Sequence, residues 1–193
     1  MKQSLDKQLC EKYPKIFADR YKPMTETAMC WGFECGDGWY NILNQLCANI
    51  QSHIDWKRKQ KAGALRYNRA LKKALDSGDR SWLIRYYTTG DRDLVDWMLK
   101  RIEDDISAAK FRKVDDAPKQ VVASQIKEKF GTLRFYYSGG DEYISGLTAM
   151  AESMSAVICE ECGNPGKIRG RGWLYTTCDA HTKTEDLENE GTD

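Results

Sequence analysis

Residues 158–181 read ICEECGNPGKIRGRGWLYTTCDAH, and the fold of the C-terminal part of the chain turns on four of them. Cys159 and Cys162 are separated by two residues, Cys178 and His181 by two more, and fifteen residues lie between the pairs. Two side chains spaced this way on a tight turn reach one metal ion, and Gly163 gives the first turn the backbone freedom it needs. Two such turns supply four ligands and fill a tetrahedral site, leaving no open position for water or substrate. The expectation is therefore one structural Zn²⁺ in a small Cys3His zinc ribbon. Gly163-Asn164-Pro165-Gly166 reads as a turn, and Lys167-Ile168-Arg169 with Trp173-Leu174-Tyr175 as a hairpin. Metal binding free energy at such a site is folding free energy. Removing the metal is thus expected to melt this end of the chain and leave the N-terminal helices largely formed.

Upstream of the ribbon, Asp141 caps a helix with Ile144, Leu147, Met150, Met154 and Val157 on one face, which reads most simply as core. Before it the period changes to two. Val122, Ser124, Ile126, Glu128 and Phe130 alternate with Ala123, Gln125, Lys127 and Lys129. After Gly131, Leu133, Phe135 and Tyr137 alternate with Thr132, Arg134 and Tyr136, so a hairpin turns at about Gly131 and closes at Ser138-Gly139-Gly140. Residues 110–119, polar and containing Pro118, mark a boundary between two halves.

The N-terminal half reads as mainly helical. Residues 3–20 suit a short helix interrupted at Pro14. Residues 28–40, AMCWGFECGDGWY, suit a structured aromatic and Gly-rich loop. A helix starts near Asp37 or Gly38, with Asp37 as its cap and Trp39, Leu43, Leu46, Cys47, Ile50 and Ile54 on one face. Gly63 is expected to split the next stretch into two helical pieces, and Ser77-Gly78-Asp79 to end it. SWLIRYYTTG suits helix or strand. Asp91 opens a further helix with Leu94, Trp97, Met98, Ile102 and Ile106 on its face. The expected class is α+β: helical residues 1–115, hairpin and helix over 116–158, ribbon over 159–181, and an acidic disordered tail over 182–193.

The 193 residues include six Trp and ten Tyr with a net charge of +1, which indicates a globular chain with no global field toward nucleic acid or membrane. No stretch approaches the roughly 20 consecutive apolar residues of a membrane span. The first residues have no apolar core of a signal peptide, so a cytoplasmic location and no membrane partner are expected. Seven Cys, an odd number, favour metal over disulfides.

Other clusters are weaker. Cys30-x4-Cys35 with Cys47 and His53 could form a second metal site, but the spacing is loose and buried thiols are the simpler reading. Gly32-x3-Gly36-Asp37-Gly38 precedes a helix, yet it lacks the Lys-Ser/Thr pair of a phosphate loop and aromatics crowd it. Lys57, Arg58, Lys59, Lys61, Arg66, Arg69, Lys72 and Lys73 form a run with no acidic residue. Trp56 and Tyr67 lie close by, and Lys167, Arg169 and Arg171 lie beside Trp173 in the ribbon. These residues can track a nucleic-acid backbone or form a solvated face. Only His53 and His181 are present, which leaves little for His-based catalysis. Asp115 or Asp116 followed by Gln125-x-Lys127 faintly suggests a metal-dependent nuclease core, with Gln where a carboxylate would be needed.

Two stretches carry a resemblance. CWGFECGDGWY, residues 30–40, resembles a segment of uncharacterised proteins encoded by bacteriophages and prophages. QIKEKFGTLRFYYSGG (125–140) followed by ICEECGNPG, GW and CDAH is similar to a related set of bacterial and phage proteins. The resemblance covers somewhat over half the chain and implies a virus-encoded protein acting in a bacterial cytoplasm. It implies no activity. The first functional expectation is a non-enzymatic accessory protein that binds a host protein, through Trp31, Phe33, Asp37 and Trp39, to inhibit a defence system or redirect host machinery. The alternatives are a nucleic-acid-binding protein using 57–73 and the ribbon, and a nuclease around Lys127.

Overall fold

The computed structural model of the chain describes residues 1–90 and 92–183. The fold is α+β with a mainly helical N-terminal half, as the periodicities imply. The described part divides into two units. Unit 1 comprises Met1–Ile54 and the chain from Pro118 onward, and unit 2 is Asp55–Ala117. One division thus falls inside the expected helical region 1–115. The other falls within the polar boundary at 110–119.

In unit 1, helix α1 (Gln3–Lys12) ends two residues before Pro14, and turns rather than helix continue the chain. The stretch expected as a loop is more ordered than that. It forms a 3-10 turn (Ala28–Trp31), a two-residue strand β1 (Phe33–Glu34) and a second 3-10 turn (Asp37–Trp39). Asp37 is not the cap of the following helix, because its carboxylate accepts the Lys2 backbone N–H at 2.6 Å and pairs with Lys2 Nζ at 3.0 Å.

Helix α2 (Tyr40–Ser77) is continuous through Gly63, contrary to the expected break. A single glycine costs a helix only about 1 kcal/mol, which the surrounding good helix formers absorb. Trp39, Leu43, Ile50 and Ile54 are fully buried in the unit 1 core, as their spacing predicts.

Strands β2 (Lys119–Lys129) and β3 (Thr132–Gly140) form the hairpin, and β1 adds to β2 in parallel, giving the order β1-β2-β3. The register slips at two places on β2, one between Lys119 and Val122 and one between Ala123 and Gln125. These bulges overturn the simple alternation. Val121 and Ala123 face the core on one side of the second slip and Ile126 on the other, while Ser124 is exposed.

Helix α5 (Glu142–Ser155) is capped as expected, by Asp141 Oδ1 accepting the Ile144 N–H at 3.1 Å. The other Asp141 oxygen lies 2.8 Å from His53 Nε2 and ties the start of α5 to α2. The buried face of α5 is Ile144, Thr148, Ala151 and Ser155. The face expected in the core is covered only in its first half: Ile144 is fully buried and Leu147 packs against the core, whereas Met150, Met154 and Val157 are 56%, 45% and 60% exposed. Strand β3 is the sheet edge, and its outward N–H groups need acceptors. Ser155 Oγ accepts from Leu133 at 2.8 Å and Glu152 Oε1 from Phe135 at 2.9 Å, which commits the polar, small-residue face of α5 to the sheet.

In unit 2, the second part of α2 packs with α3 (Ser81–Tyr87) and α4 (Asp96–Ala108) around Leu71, Leu83 and Ile102, all fully buried. SWLIRYY is therefore helix. On α4, Met98 and Ile102 are inside as expected, but Trp97 is exposed, and so is Leu94, which precedes the helix. Asp105 takes an inward position instead, accepting from Tyr87 Oη at 2.6 Å and pairing with Arg101 at 3.2 Å. The expected helix start at Asp91 and most of the expected acidic tail, from Thr184, lie outside the described residues.

Candidate functional site

The C-terminal ribbon consists of β4 (Lys167–Arg169) paired antiparallel with β5 (Tyr175–Thr177), followed by a 3-10 turn (Asp179–His181). The first turn closes by Gly163 N–H donating to Cys159 O at 2.9 Å, with Gly163 at φ +79°. Its position is fixed by Cys159 N–H donating to Asn164 O at 2.7 Å and by the Ile158–Pro165 bridge. This local geometry brings Cys159, Cys162, Cys178 and His181 together, with all four ligand atoms within 4.8 Å of one another. Cys159 Sγ lies 3.7 Å from His181 Nδ1, Cys162 Sγ 3.7 Å from Cys178 Sγ, and Cys178 Sγ 3.2 Å from His181 Nδ1. The edges of a tetrahedral thiolate–imidazole site are about 3.5–3.8 Å, so these donors can hold a metal ion with little rearrangement.

Electrostatics favour a thiolate at the buried ligand. Burial pushes Cys159 up, but backbone N–H groups of Cys178, Cys162 and Glu161 outweigh it and hold the thiol down at about 7. Between the first two ligands, Glu160 binds the N-terminal part of unit 1. Its backbone oxygen accepts Gly38 N–H at 2.7 Å and its carboxylate accepts Gly36 N–H at 2.8 Å. Trp39 Nε1 donates to Ile158 O at 2.8 Å. The Gly36-Asp37-Gly38 segment is thus the seat of the Cys159–Gly163 turn and packs against it rather than standing open as a phosphate loop. A Cβ on Gly38 would collide with the Cys159 oxygen and the Gly163 nitrogen.

This seating withdraws most of the residues expected to bind a partner. Trp39 is fully buried and Phe33 is 5% exposed, stacked edge-on against Phe17 at 5.1 Å. Asp37 is engaged by Lys2. Only Trp31, 60% exposed, faces solvent.

The three other cysteines considered for a second metal site do not assemble one. Among the described residues the C-terminal four are the one cluster with metal-holding geometry. Burial pushes the Cys35 thiol up to about 12 and raises Cys47 further. Of the residues considered for a nuclease core, Asp115 pairs with Lys113 and Asp116 with Lys61, each at 2.7 Å, and Gln125 Nε2 donates to Glu34 at 3.2 Å.

The basic run divides by face. Unit 2 carries sixteen Lys and Arg against eleven Asp and Glu. A hollow of about 410 Å³ is lined by Trp56, Lys57, Lys59, Lys61, Arg66, Tyr86, Arg112 and Lys113, with Asp115 and Asp116 as its acidic residues. A second hollow, about 240 Å³, is lined by Arg66, Arg69, Lys73, Trp82, Arg85 and Tyr86. Arg66 and Tyr86 line both hollows, which therefore adjoin, and the pair together is the basic groove of unit 2. Aromatic rings hold several cations in place. Lys73 Nζ sits 4.0 Å from the Trp82 ring and the Arg112 guanidinium 3.8 Å from Tyr67. Arg112 is further set by Asn68, which bonds its backbone N–H at 2.8 Å and its oxygen at 2.9 Å.

Arg58 and Lys72 are exposed outside this groove, and Lys72 pairs with Asp76 at 2.8 Å. In the ribbon, Arg169 is 4% exposed and ion-paired with Asp179, so it supports the fold and offers no charge to a ligand, whereas Arg171 is exposed. Arg85, Arg112 and Lys113 carry no signal in the sequence. They lie outside the continuous run, and only the packing of α3 and the 110–113 segment onto α2 brings them to the groove. Among the described residues no helix is long and apolar enough to cross a membrane. Comparison with models of protein families, with curated proteins and with solved structures finds no match for this chain.

Proposed function

We propose that this is a nucleic-acid-binding protein, stabilised by one structural Zn²⁺, that holds a phosphate backbone in the basic groove of unit 2. The observation that carries the reading is the groove itself. Lys57, Lys59, Arg66, Arg69, Arg85 and Arg112 line its two adjoining hollows together with Trp56, Trp82 and Tyr86. Clustered cations neutralise phosphates and release counterions, and interleaved aromatics offer faces for bases. Zn²⁺ is the metal that three thiolates and one imidazole at these separations suit best. Four protein ligands make it structural, so Cys159, Cys162, Cys178 and His181 serve the fold and do no chemistry on a ligand.

The test is binding to labelled oligonucleotides across a salt series. Affinity should fall steeply with salt. Replacing Lys59, Arg66 and Arg69 with Gln should flatten the slope by about 1 for each phosphate that is no longer neutralised. Undetectable binding at low salt would sink the proposal.

A second reading rests on a different observation. Met150 and Met154 are exposed on α5 and line, with Leu147, Ile158, Ile42 and Leu46, an apolar hollow of about 230 Å³. Together with the phage resemblance, this supports a host-protein partner. Met150→Asp with Met154→Asp should then abolish capture of one stoichiometric, nuclease-resistant protein from bacterial lysate.

A further inference from the structure

The hairpin between β2 and β3 turns on Phe130 and Gly131, with Lys129 and Thr132 paired across it. Both central residues have positive φ, +56° and +75°. A two-residue turn with two positive φ values is the type I′ arrangement, which strongly prefers Asn-Gly because an L side chain larger than Asn or Asp is strained in the left-handed region. Here the strained position carries a phenylalanine, and the fold does not bury it: Phe130 is 66% exposed.

The turn is otherwise well determined. Glu128 Oε1 accepts the Gly131 N–H at 2.6 Å, Thr132 Oγ1 donates to Lys129 O at 3.1 Å, and Thr176 Oγ1 donates to Gly131 O. Gly131 abuts β5, where a Cβ would lie 3.3 Å from the Tyr175 nitrogen. The ribbon therefore holds the turn, and it brings its own exposed aromatic to the same place. Trp173 is 78% exposed and lines, with Phe130, Lys127, Glu128, Lys129 and Leu174, a hollow of about 230 Å³. The surrounding charge is mostly positive. Among the described residues neither Lys127 nor Lys129 pairs with a carboxylate, Arg171 is exposed, and Glu128 is engaged by Gly131. Lys129 Nζ sits 5.2 Å from the Phe130 ring, so a cation already flanks the exposed aromatic, and a strained backbone that presents two aromatics to solvent beside cations is a mark of a binding site.

We infer that Phe130 and Trp173 form a stacking site for unpaired bases, with Lys127, Lys129 and Arg171 holding the adjoining phosphates, so that the ligand class is single-stranded nucleic acid. This rests on the nucleic-acid reading above and adds a site in unit 1 that the basic run does not contain. Aromatic faces flanked by cations accept any base from a single strand, whereas a duplex keeps its bases stacked on one another.

The test uses the full, metal-loaded chain and fluorescence anisotropy with labelled oligothymidylate, oligouridylate and a blunt DNA duplex. Phe130→Ala and Trp173→Ala should each weaken single-strand binding about tenfold, leave the salt slope unchanged and leave duplex binding intact. The thymidylate and uridylate arms tell a DNA ligand from an RNA one. Phe130→Asn guards against misfolding as an explanation, because it restores the preferred turn pair: its melting temperature should rise while single-strand binding falls. If the protein binds single strands and all three variants bind as tightly as the parent, the inference is wrong. If no nucleic acid binds at low salt, the inference fails along with the reading it rests on. Duplex binding with silent Phe130 and Trp173 variants overturns the inference alone.

Discussion

A Cβ added to Gly38 would lie 2.7 Å from the Glu160 oxygen and closer still to the backbone of Cys159 and Gly163. These are main-chain atoms of the Cys159–Gly163 turn and cannot swing aside. Gly38→Ala is expected to lower stability by about 3 kcal/mol, at the upper end of overpacking costs, and urea unfolding followed by Trp fluorescence will measure it. The glycine-rich spacing of 32–38 is visible in the sequence, and so are its aromatics. Their roles are not. Trp39 has the character of a surface anchor because Trp is enriched at interfaces, but its indole N–H needs a buried acceptor and finds one in Ile158. Arg169 is a parallel case, because a buried cation balanced by Asp179 is indistinguishable in sequence from a free one.

At the level of elements, helix periodicity marks an apolar stripe without saying whether it is covered. Of the stripe Ile144-Leu147-Met150-Met154-Val157 the first two residues reach the core, yet the rest stays exposed because the sheet edge takes the face that carries Ser155 and Glu152, which supply the acceptors it needs. Met154→Gln should therefore change stability by no more than about 0.5 kcal/mol. Ile144→Ala, on the covered face, should cost about 2–5 kcal/mol. Thermal denaturation of the two variants side by side checks the assignment. Helix α2 offers the converse case. A Cβ on Gly63 meets nothing within 4 Å, so Gly63→Ala should stabilise by about 0.5–1 kcal/mol in the same assay. The break expected there rests on a weak local signal that the rest of the helix overrides. The bulges in β2 are hidden for a different reason. A period of two assigns faces only until the register slips, and the slips depend on the partner strand.

For the molecule as a whole, the seating of the metal-binding turn on residues 36–39 revises what metal removal should do. Chelation, or Cys162→Ser, should unfold more than the ribbon. Hydrogen exchange should show reduced protection at 36–39 and around the hairpin turn as well as over 158–181, because those segments share hydrogen bonds with the ribbon. Protection reduced over 158–181 alone would contradict this coupling. A net charge of +1 likewise conceals an uneven distribution: an excess of cations in unit 2 and an excess of acids in the rest of the chain.

The sequence by itself determined the four residues that gather where they could hold a metal ion, the hairpin, the cap of α5 and the α+β class. Each depends on interactions between residues close along the chain, or on a spacing that only a few geometries satisfy. Tertiary structure alone decided which apolar face of α5 is covered, which cations of the basic run share a groove with Arg85 and Arg112, and that Gly38 and Trp39 receive the ribbon. Those outcomes rest on hydrogen bonds and close approaches between segments distant along the chain, and no local periodicity encodes which distant donor will meet which acceptor.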